Sequence, residues 1–129
     1  MRHTYILVDV DSKQYTPEQL RARFHRVMKM LWPMAGKSAK SDVYESPGGK
    51  GYHLVGQIWT THRIREEWVV FAQLLCYSDP NREIANLSRI KSGVVSWNRL
   101  FSTVRERLLE DDKQNRNTGI GGNQNEVGG

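Results

Sequence analysis

The chain has 129 residues, of which 38% are apolar, and a formal net charge of +5. This length suits one folded domain and is too short for two independent cores, and the apolar content with four tryptophans excludes a fully disordered chain. The excess of lysine and arginine favours polyanionic partners such as nucleic acid, nucleotides or an anionic membrane, or it serves solubility alone.

Cysteine content and the N-terminus bear on where the protein works. Cys76 is the single cysteine, which excludes an intramolecular disulfide and a cysteine zinc cluster. The N-terminal apolar run ends in acidic residues after a few positions, unlike a signal peptide. No segment approaches the ~20 apolar residues of a membrane helix. We therefore expect an intracellular, cytoplasmic protein that is not embedded in a membrane.

The first predicted elements are a strand and a helix. Residues 4–11 are β-branched and apolar until two acidic residues, which predicts a central strand. Thr16, Pro17 and Gln19 form the pattern of a capping box with proline at the first helical position. The helix that follows stops at Pro33. Its buried face is predicted from an apolar stripe at helical spacing, formed by Leu20, Phe24, Val27, Met28 and Leu31.

A hairpin and a second helix are predicted next. After a polar connection, residues 43–46 and 52–59 have the pattern of two strands, joined by the glycine-rich turn 47–51. Thr60 or Thr61 is expected to cap a helix that ends near Ser78, Asp79 and Pro80. The predicted buried side of this helix consists of Ile64, Trp68, Phe71 and Leu75.

The last third of the chain completes the fold prediction. Residues 84–93 favour an edge strand, and Trp97 begins a final helix that runs into the acidic residues 110–112. Residues 113–129 hold two aliphatic side chains among many glycines, which predicts a disordered tail and a single domain over 1–112. The order β-α-β-β-α-(β)-α predicts an α+β fold of split β-α-β type, ferredoxin-like or RRM-like. Its helices would pack on one sheet face, with a C-terminal helix added.

Two carboxylates end the first predicted strand. Asp9 and Asp11 point to the same side because side chains alternate along a strand. Two oxygen donors near a sheet end are suited to Mg²⁺ or Mn²⁺ holding a triphosphate. The alternative is a strand end that turns into a polar loop.

The hairpin turn carries a second group of candidate residues, Ser46, Gly48, Gly49, Lys50 and His53. The glycines allow a tight turn to offer backbone N–H groups to an anion, and the lysine adds a positive charge. The histidine, just inside the next strand, could contact a phosphate. The alternative is an ordinary glycine-rich turn followed by a hydrogen-bonded histidine.

A third group follows the second helix. Asp79 could supply another carboxylate, and Arg89 and Lys91 could contact nucleotide or backbone phosphates. Asp79 followed by proline is equally typical of a turn that ends a helix.

The order of these motifs resembles the archaeo-eukaryotic primase–polymerase superfamily. That family has a strand ending in D-x-D, a helix, and a hairpin whose serine–glycine–basic turn leads to a histidine. An Asp-bearing segment and an arginine–glycine stretch near an asparagine follow, similar to Asp79, Arg89, Gly93 and Asn98 here. The resemblance spans residues 5–101.

The resemblance implies a metal-dependent nucleotidyltransferase of nucleic-acid replication, in which a 3′-hydroxyl attacks an α-phosphate. Mg²⁺ or Mn²⁺ would be bound by Asp9, Asp11 and Asp79 as the catalytic carboxylates. The nucleotide would be bound by Ser46, Gly48, Gly49, Lys50, His53, Arg89 and Lys91. Nucleic acid, nucleoside triphosphates and replication proteins are the implied partners.

Three other functions can be compared with the same pattern. A non-catalytic RRM-like domain would bind nucleic acid through exposed aromatics such as Tyr5, Tyr52 or Trp59. A rolling-circle nuclease needs a His-hydrophobe-His pair, and the segments that begin at His53 and His62 both lack the second histidine. A purely structural interaction domain would carry an apolar patch on the open sheet face.

Overall fold

The computed structural model describes residues 1–100. Their three strands form one antiparallel sheet in the order β1-β3-β2. This is the predicted α+β class, and it is compatible with a small split β-α-β, ferredoxin-like arrangement. The elements in chain order are β1 (Arg2–Val10), α1 (Pro17–Leu31), α2 (Pro33–Gly36), β2 (Lys40–Glu45), β3 (Tyr52–Thr60), α3 (Glu66–Leu75) and α4 (Pro80–Lys91).

Helix α1 begins as predicted. The Thr16 hydroxyl accepts a hydrogen bond from the Gln19 N–H (3.2 Å), and Gln19 Oε1 accepts one from the Thr16 N–H (2.8 Å). These reciprocal bonds satisfy backbone donors that a helix start otherwise leaves unpaired. Pro17 occupies the first turn, and the helix ends at Leu31, just before Pro33.

The main core lies between one sheet face and two helices. Ile6, Val8 and Val10 of β1 belong to the same buried cluster as the apolar faces of α1 and α3. Phe24 packs over Gly56 of β3, where an added Cβ would lie 2.3 Å from the ring. The opposite face carries the alternate residues of each strand, and because none of the helices within residues 1–100 packs on it, it is called the helix-free face below.

The first strand is an edge strand of the described sheet, so its predicted central position is wrong. β3 lies between β1 and β2. Apolar residues on both faces predicted a central strand, but β1 carries them because both of its faces are buried although it lies at an edge. Leu7 is buried on the helix-free face, in a second cluster with Val55 and Leu100.

Helix α3 differs from its prediction in start and buried face. Thr60 belongs to β3, and the helix begins five residues after Thr61, at Glu66. Trp68 and Phe71, expected in the core, are 48% and 45% exposed. The residues that this helix buries are Val69, Val70, Ala72 and Gln73.

Residues 84–93 were predicted as an edge strand, and this is wrong, because helix α4 covers Pro80–Lys91. Asp79 is its N-cap and Pro80 its first residue, so the Asp-Pro pair begins a helix here instead of ending one. Trp97 was expected to begin a final helix, but residues 97–100 are not helical, and Trp97 is buried. The rest of the predicted final helix and the predicted tail lie outside the described residues.

Polar groups from α3, α4 and the segment after them cover the outer edge of β1. The free backbone groups of an edge strand otherwise invite pairing with another strand. Five of them form hydrogen bonds here. Tyr5 O accepts from Asn98 Nδ2 (3.3 Å), Leu7 N donates to Gln73 Oε1 (2.9 Å), Leu7 O accepts from Arg82 Nη1 (2.9 Å), Asp9 N donates to Ser78 Oγ (3.1 Å), and Asp9 O accepts from Asp79 N (2.7 Å).

Glu83 is the centre of this edge network. It is fully buried and accepts hydrogen bonds from Gln73 Nε2 (2.8 Å), Ser78 Oγ (2.6 Å) and Asn86 Nδ2 (3.0 Å). The Arg82 guanidinium also donates to it. Burial lowers the pKa of Arg82, and the neighbouring Glu83 carboxylate opposes that shift.

No helix within residues 1–100 has the length and apolarity needed to cross a bilayer.

Candidate functional site

The pairing of β1 with β3 places two predicted site residues directly opposite each other. Asp9 and His53 are register partners, and Asp9 Oδ1 lies 3.2 Å from His53 Nε2. Both lie on the helix-free face because their neighbours Val8 and Val10 point into the main core. The sheet thus joins the D-x-D segment to the histidine of the hairpin.

The two partners differ in exposure. The His53 side chain is 5% exposed, whereas that of Asp9 is 32% exposed. His53 Nδ1 is buried and has no hydrogen-bond partner among the described residues. In this arrangement the imidazole orients the Asp9 carboxylate, which solvent and ligands can reach.

The hairpin turn is built by the serine that was predicted to bind a nucleotide. The Gly49 N–H donates to Ser46 O (2.9 Å), and the Gly51 N–H donates to Ser46 Oγ (3.0 Å). Gly48 and Gly49 have φ of +85° and +71°, the left-handed backbone that glycine adopts at little cost. Lys50 is exposed beside them. The turn therefore presents backbone and a lysine to solvent, while the serine hydroxyl serves the turn itself.

This turn lies against the end of β1. A Cβ on Gly51 would come within 1.9 Å of Val10 O, so a side chain at that position is sterically excluded. Lys13 Nζ, in the loop after β1, lies 3.1 Å from Glu45 Oε1 at the base of the turn. Asp11 lies between Val10 and Lys13 in sequence, one residue beyond the strand, and it is exposed. The acidic end of β1 and the glycine turn are thus neighbours.

Asp79 reaches the same end of the sheet through its backbone. Its N–H donates to Asp9 O (2.7 Å), so the two residues are adjacent. Its side chain accepts a hydrogen bond from the Asn81 N–H (3.3 Å) and caps α4. The two residues therefore meet through their backbones, while the carboxylate of Asp79, the predicted third metal ligand, is engaged in a helix cap.

The other two predicted phosphate-binding residues lie at the far end of α4. Arg89 follows Asp79 by ten residues, which corresponds to about 15 Å along a helix axis. Its Nη1 donates to Asn86 Oδ1 (2.9 Å), whereas Lys91 is exposed in the last turn. Arg89 and Lys91 therefore lie at the opposite end of α4 from Asp79 and the acidic end of β1.

The carboxylates at this end could bind Mg²⁺ or Mn²⁺ only together with a phosphate-bearing ligand that supplies further oxygen atoms. Within residues 1–100 no group of three or more His, Cys, Asp or Glu side chains is arranged to hold a metal. Mg²⁺ is commonly bound through one or two carboxylates together with substrate phosphates. Asp9 is accessible at this end, and Asp11 is exposed one residue beyond the strand, so each is free to contribute one such carboxylate.

Sequence analysis missed the side chains that fix the backbone of Asp9. Ser78 Oγ accepts from the Asp9 N–H and donates to Glu83, and Arg82 lies close enough to interact electrostatically with Asp9. A sequence signal exists in hindsight, because Glu83 and Asn86 are polar residues three apart on one face of α4. Nothing local marks that face as the buried one.

Aromatic side chains form a strip at the other end of the helix-free face. The His3 ring lies 4.7 Å from that of Tyr5 and 5.1 Å from that of Trp59. Lys40 Nζ lies 5.6 Å from the centre of the Trp59 ring. Tyr5 and Trp59 thus share the sheet face that the RRM-like alternative uses, although both are half-buried and Tyr5 packs against the second cluster. Tyr52, the third aromatic considered, packs instead against the helix-side core.

Comparison with known proteins yields no relative. No family model, curated protein or solved structure matches the chain.

Proposed function

We propose that this protein is a metal-dependent nucleotidyltransferase of primase–polymerase type that acts in nucleic-acid replication inside the cell. Its partners would be nucleoside triphosphates, nucleic acid and other replication proteins. A 3′-hydroxyl would attack the α-phosphate of the triphosphate and release pyrophosphate.

The proposal depends chiefly on the contact between Asp9 and His53. These residues are 44 positions apart in sequence, and the strand register brings Asp9 Oδ1 within 3.2 Å of His53 Nε2. A separation above about 10 Å would have placed them beyond the reach of one metal-bound triphosphate. The glycine turn beside them adds backbone N–H groups and Lys50 for the phosphates.

The residues of this end divide into three roles. Asp9 and Asp11 would hold Mg²⁺ or Mn²⁺, with Asp79 as a third carboxylate if it leaves its cap. The bound ion would supply Lewis-acid stabilisation of the phosphate oxygens. His53 orients Asp9, and Lys50 at the turn would attract the triphosphate by its charge.

Thermal unfolding tests this proposal. A ligand that binds only the folded state raises the melting temperature, so Mn²⁺ with a nucleoside triphosphate should stabilise the wild type. The rise should vanish in Asp9→Asn/Asp11→Asn. The matched control Glu18→Gln/Asp42→Asn removes two exposed carboxylates elsewhere and should keep the rise. An equal rise in both double variants would refute the site.

A second candidate function is non-catalytic binding of single-stranded nucleic acid. The aromatic strip with Lys40 over Trp59 favours it, because stacking on aromatic rings and a nearby cation are the features that such proteins use. Metal-independent oligonucleotide binding that Trp59→Leu weakens, together with no metal–nucleotide stabilisation, would favour this function over catalysis.

A further inference from the structure

A cavity of about 720 Å³ lies at the opposite end of the sheet from Asp9 and His53. Three tryptophans from three different elements line it. Trp32 follows α1, Trp59 is near the end of β3, and Trp68 is in the first turns of α3. Its volume falls within the range of about 300–1,000 Å³ typical of small-molecule sites.

The three indoles of this cavity differ in exposure, since Trp32 and Trp59 are half-buried and Trp68 is exposed. Trp68 is 48% exposed and contacts Phe71 edge-to-face, with ring centres 5.7 Å apart. The Trp59 ring also contacts the ring of His3, and Lys40 Nζ lies over it. A flat aromatic ring could insert between such side chains and remove their surfaces from water.

Cationic groups border the cavity. Arg63 and Arg65 line it, and their side chains are 72% and 80% exposed. Their acidic partners are Glu66 at 3.7 Å and Glu67 at 3.6 Å. Exposed pairs at these distances contribute little, so both guanidiniums can turn to an anionic ligand.

We infer that this three-tryptophan cavity binds an aromatic anion of the nucleotide class. The base would stack on the indoles, and the phosphate would be bound by Arg63 and Arg65. The inference shares only the ligand class with the proposed function. His53 and Trp59 are six residues apart on β3, about 20 Å along a strand, so this site is separate from the acidic end and requires no metal.

Tryptophan fluorescence reports on this cavity directly. Three of the four tryptophans line it, and the fourth, Trp97, is buried in the core. We expect adenosine monophosphate to change the emission without added metal. Adenosine and ribose 5-phosphate, which each lack one half of the ligand, should bind at least tenfold more weakly. The ligand could come from nucleic acid or from free nucleotide, and a short single-stranded oligonucleotide distinguishes the two. Tighter binding of the oligonucleotide than of the mononucleotide would assign the site to nucleic acid, and equal binding would assign it to free nucleotide.

Variants separate the two halves of the site. Trp68→Leu should raise the Kd about tenfold or more through lost stacking, and Arg63→Ala/Arg65→Ala should raise it about tenfold for the monophosphate and little for adenosine. The control Arg21→Ala/Arg26→Ala removes two exposed arginines of α1 and should leave the Kd unchanged. Asp9→Asn/Asp11→Asn should also leave it unchanged, so this inference and the proposed function can fail separately. The inference would be overturned if the monophosphate caused no change in emission. It would also be overturned if the wild type bound adenosine as tightly as the monophosphate and Trp68→Leu weakened neither.

Discussion

Replacing Glu83 by glutamine should destabilise the fold more than an ordinary substitution. Glu83 is 0% exposed, and its carboxylate accepts hydrogen bonds from three neutral side chains and from Arg82. The carboxamide removes the negative charge next to a guanidinium whose side chain is only 10% exposed. It also turns an N–H₂ donor toward groups that are donors themselves. Removing one member of a buried ion pair costs about 3–5 kcal/mol, a large part of the ~5–15 kcal/mol stability of a typical domain.

Urea unfolding measures this loss. With a denaturant slope of about 1–3 kcal/mol per molar, a loss of 3 kcal/mol lowers the midpoint by about 1–3 M. The control Glu67→Gln removes an exposed carboxylate whose arginine partner is 3.6 Å away, and it should change stability by less than about 0.5 kcal/mol. Arg82→Met/Glu83→Gln should lose less than the sum of its single variants, since neither charge is left unpaired. A loss below about 1 kcal/mol in Glu83→Gln would refute the reasoning.

Three further predictions concern a buried thiol, a close packing contact and a titrating histidine. Burial raises the pKa of the Cys76 thiol to about 12, so a thiol reagent at pH 8 should label it only in denaturant, and rapid labelling of the folded protein would contradict this. Gly56→Ala places a Cβ 2.3 Å from the Phe24 ring and should cost about 1–3 kcal/mol in urea unfolding, partly restored by adding Phe24→Leu. Burial and Lys29 lower the pKa of His25. The unfolded state therefore binds more protons just below pH 6.5, and stability falls as the pH drops through that value; His25→Gln should flatten this dependence in urea midpoints at pH 7.5 and 5.5.

Local signals predicted the parts of the fold that depend on local chemistry. The capping box of Thr16 and Gln19 formed as expected because its atoms lie within one turn of chain. The hairpin followed from the run of glycines, two of which have the positive φ that the turn requires. The contact of Asp9 with His53 has a different origin, because it depends on the non-local pairing of β1 with β3.

Tertiary context decided the parts that were predicted wrongly. The buried face of α3 includes Gln73 because that amide bonds to both the β1 edge and Glu83. A hydrophobic pattern cannot indicate a buried amide, so Trp68 and Phe71 were assigned to the core in its place. Helix α4 was missed for the same reason: the face that it buries is polar, with Glu83 and Asn86.

Buried polar atoms without a hydrogen-bond partner are informative in a fold that pairs so many of its polar groups. The domain hydrogen-bonds even a fully buried glutamate and the free edge of β1. Within residues 1–100, the buried side-chain polar atoms left without a partner are Nδ1 of His3 and Nδ1 of His53. His3 lies in the aromatic strip beside Trp59, and His53 lies beside Asp9, so one occurs at each end of the helix-free face. Departures from otherwise consistent packing tend to occur at functional sites, and these two coincide with the two ends of the sheet at which we propose that nucleotides bind.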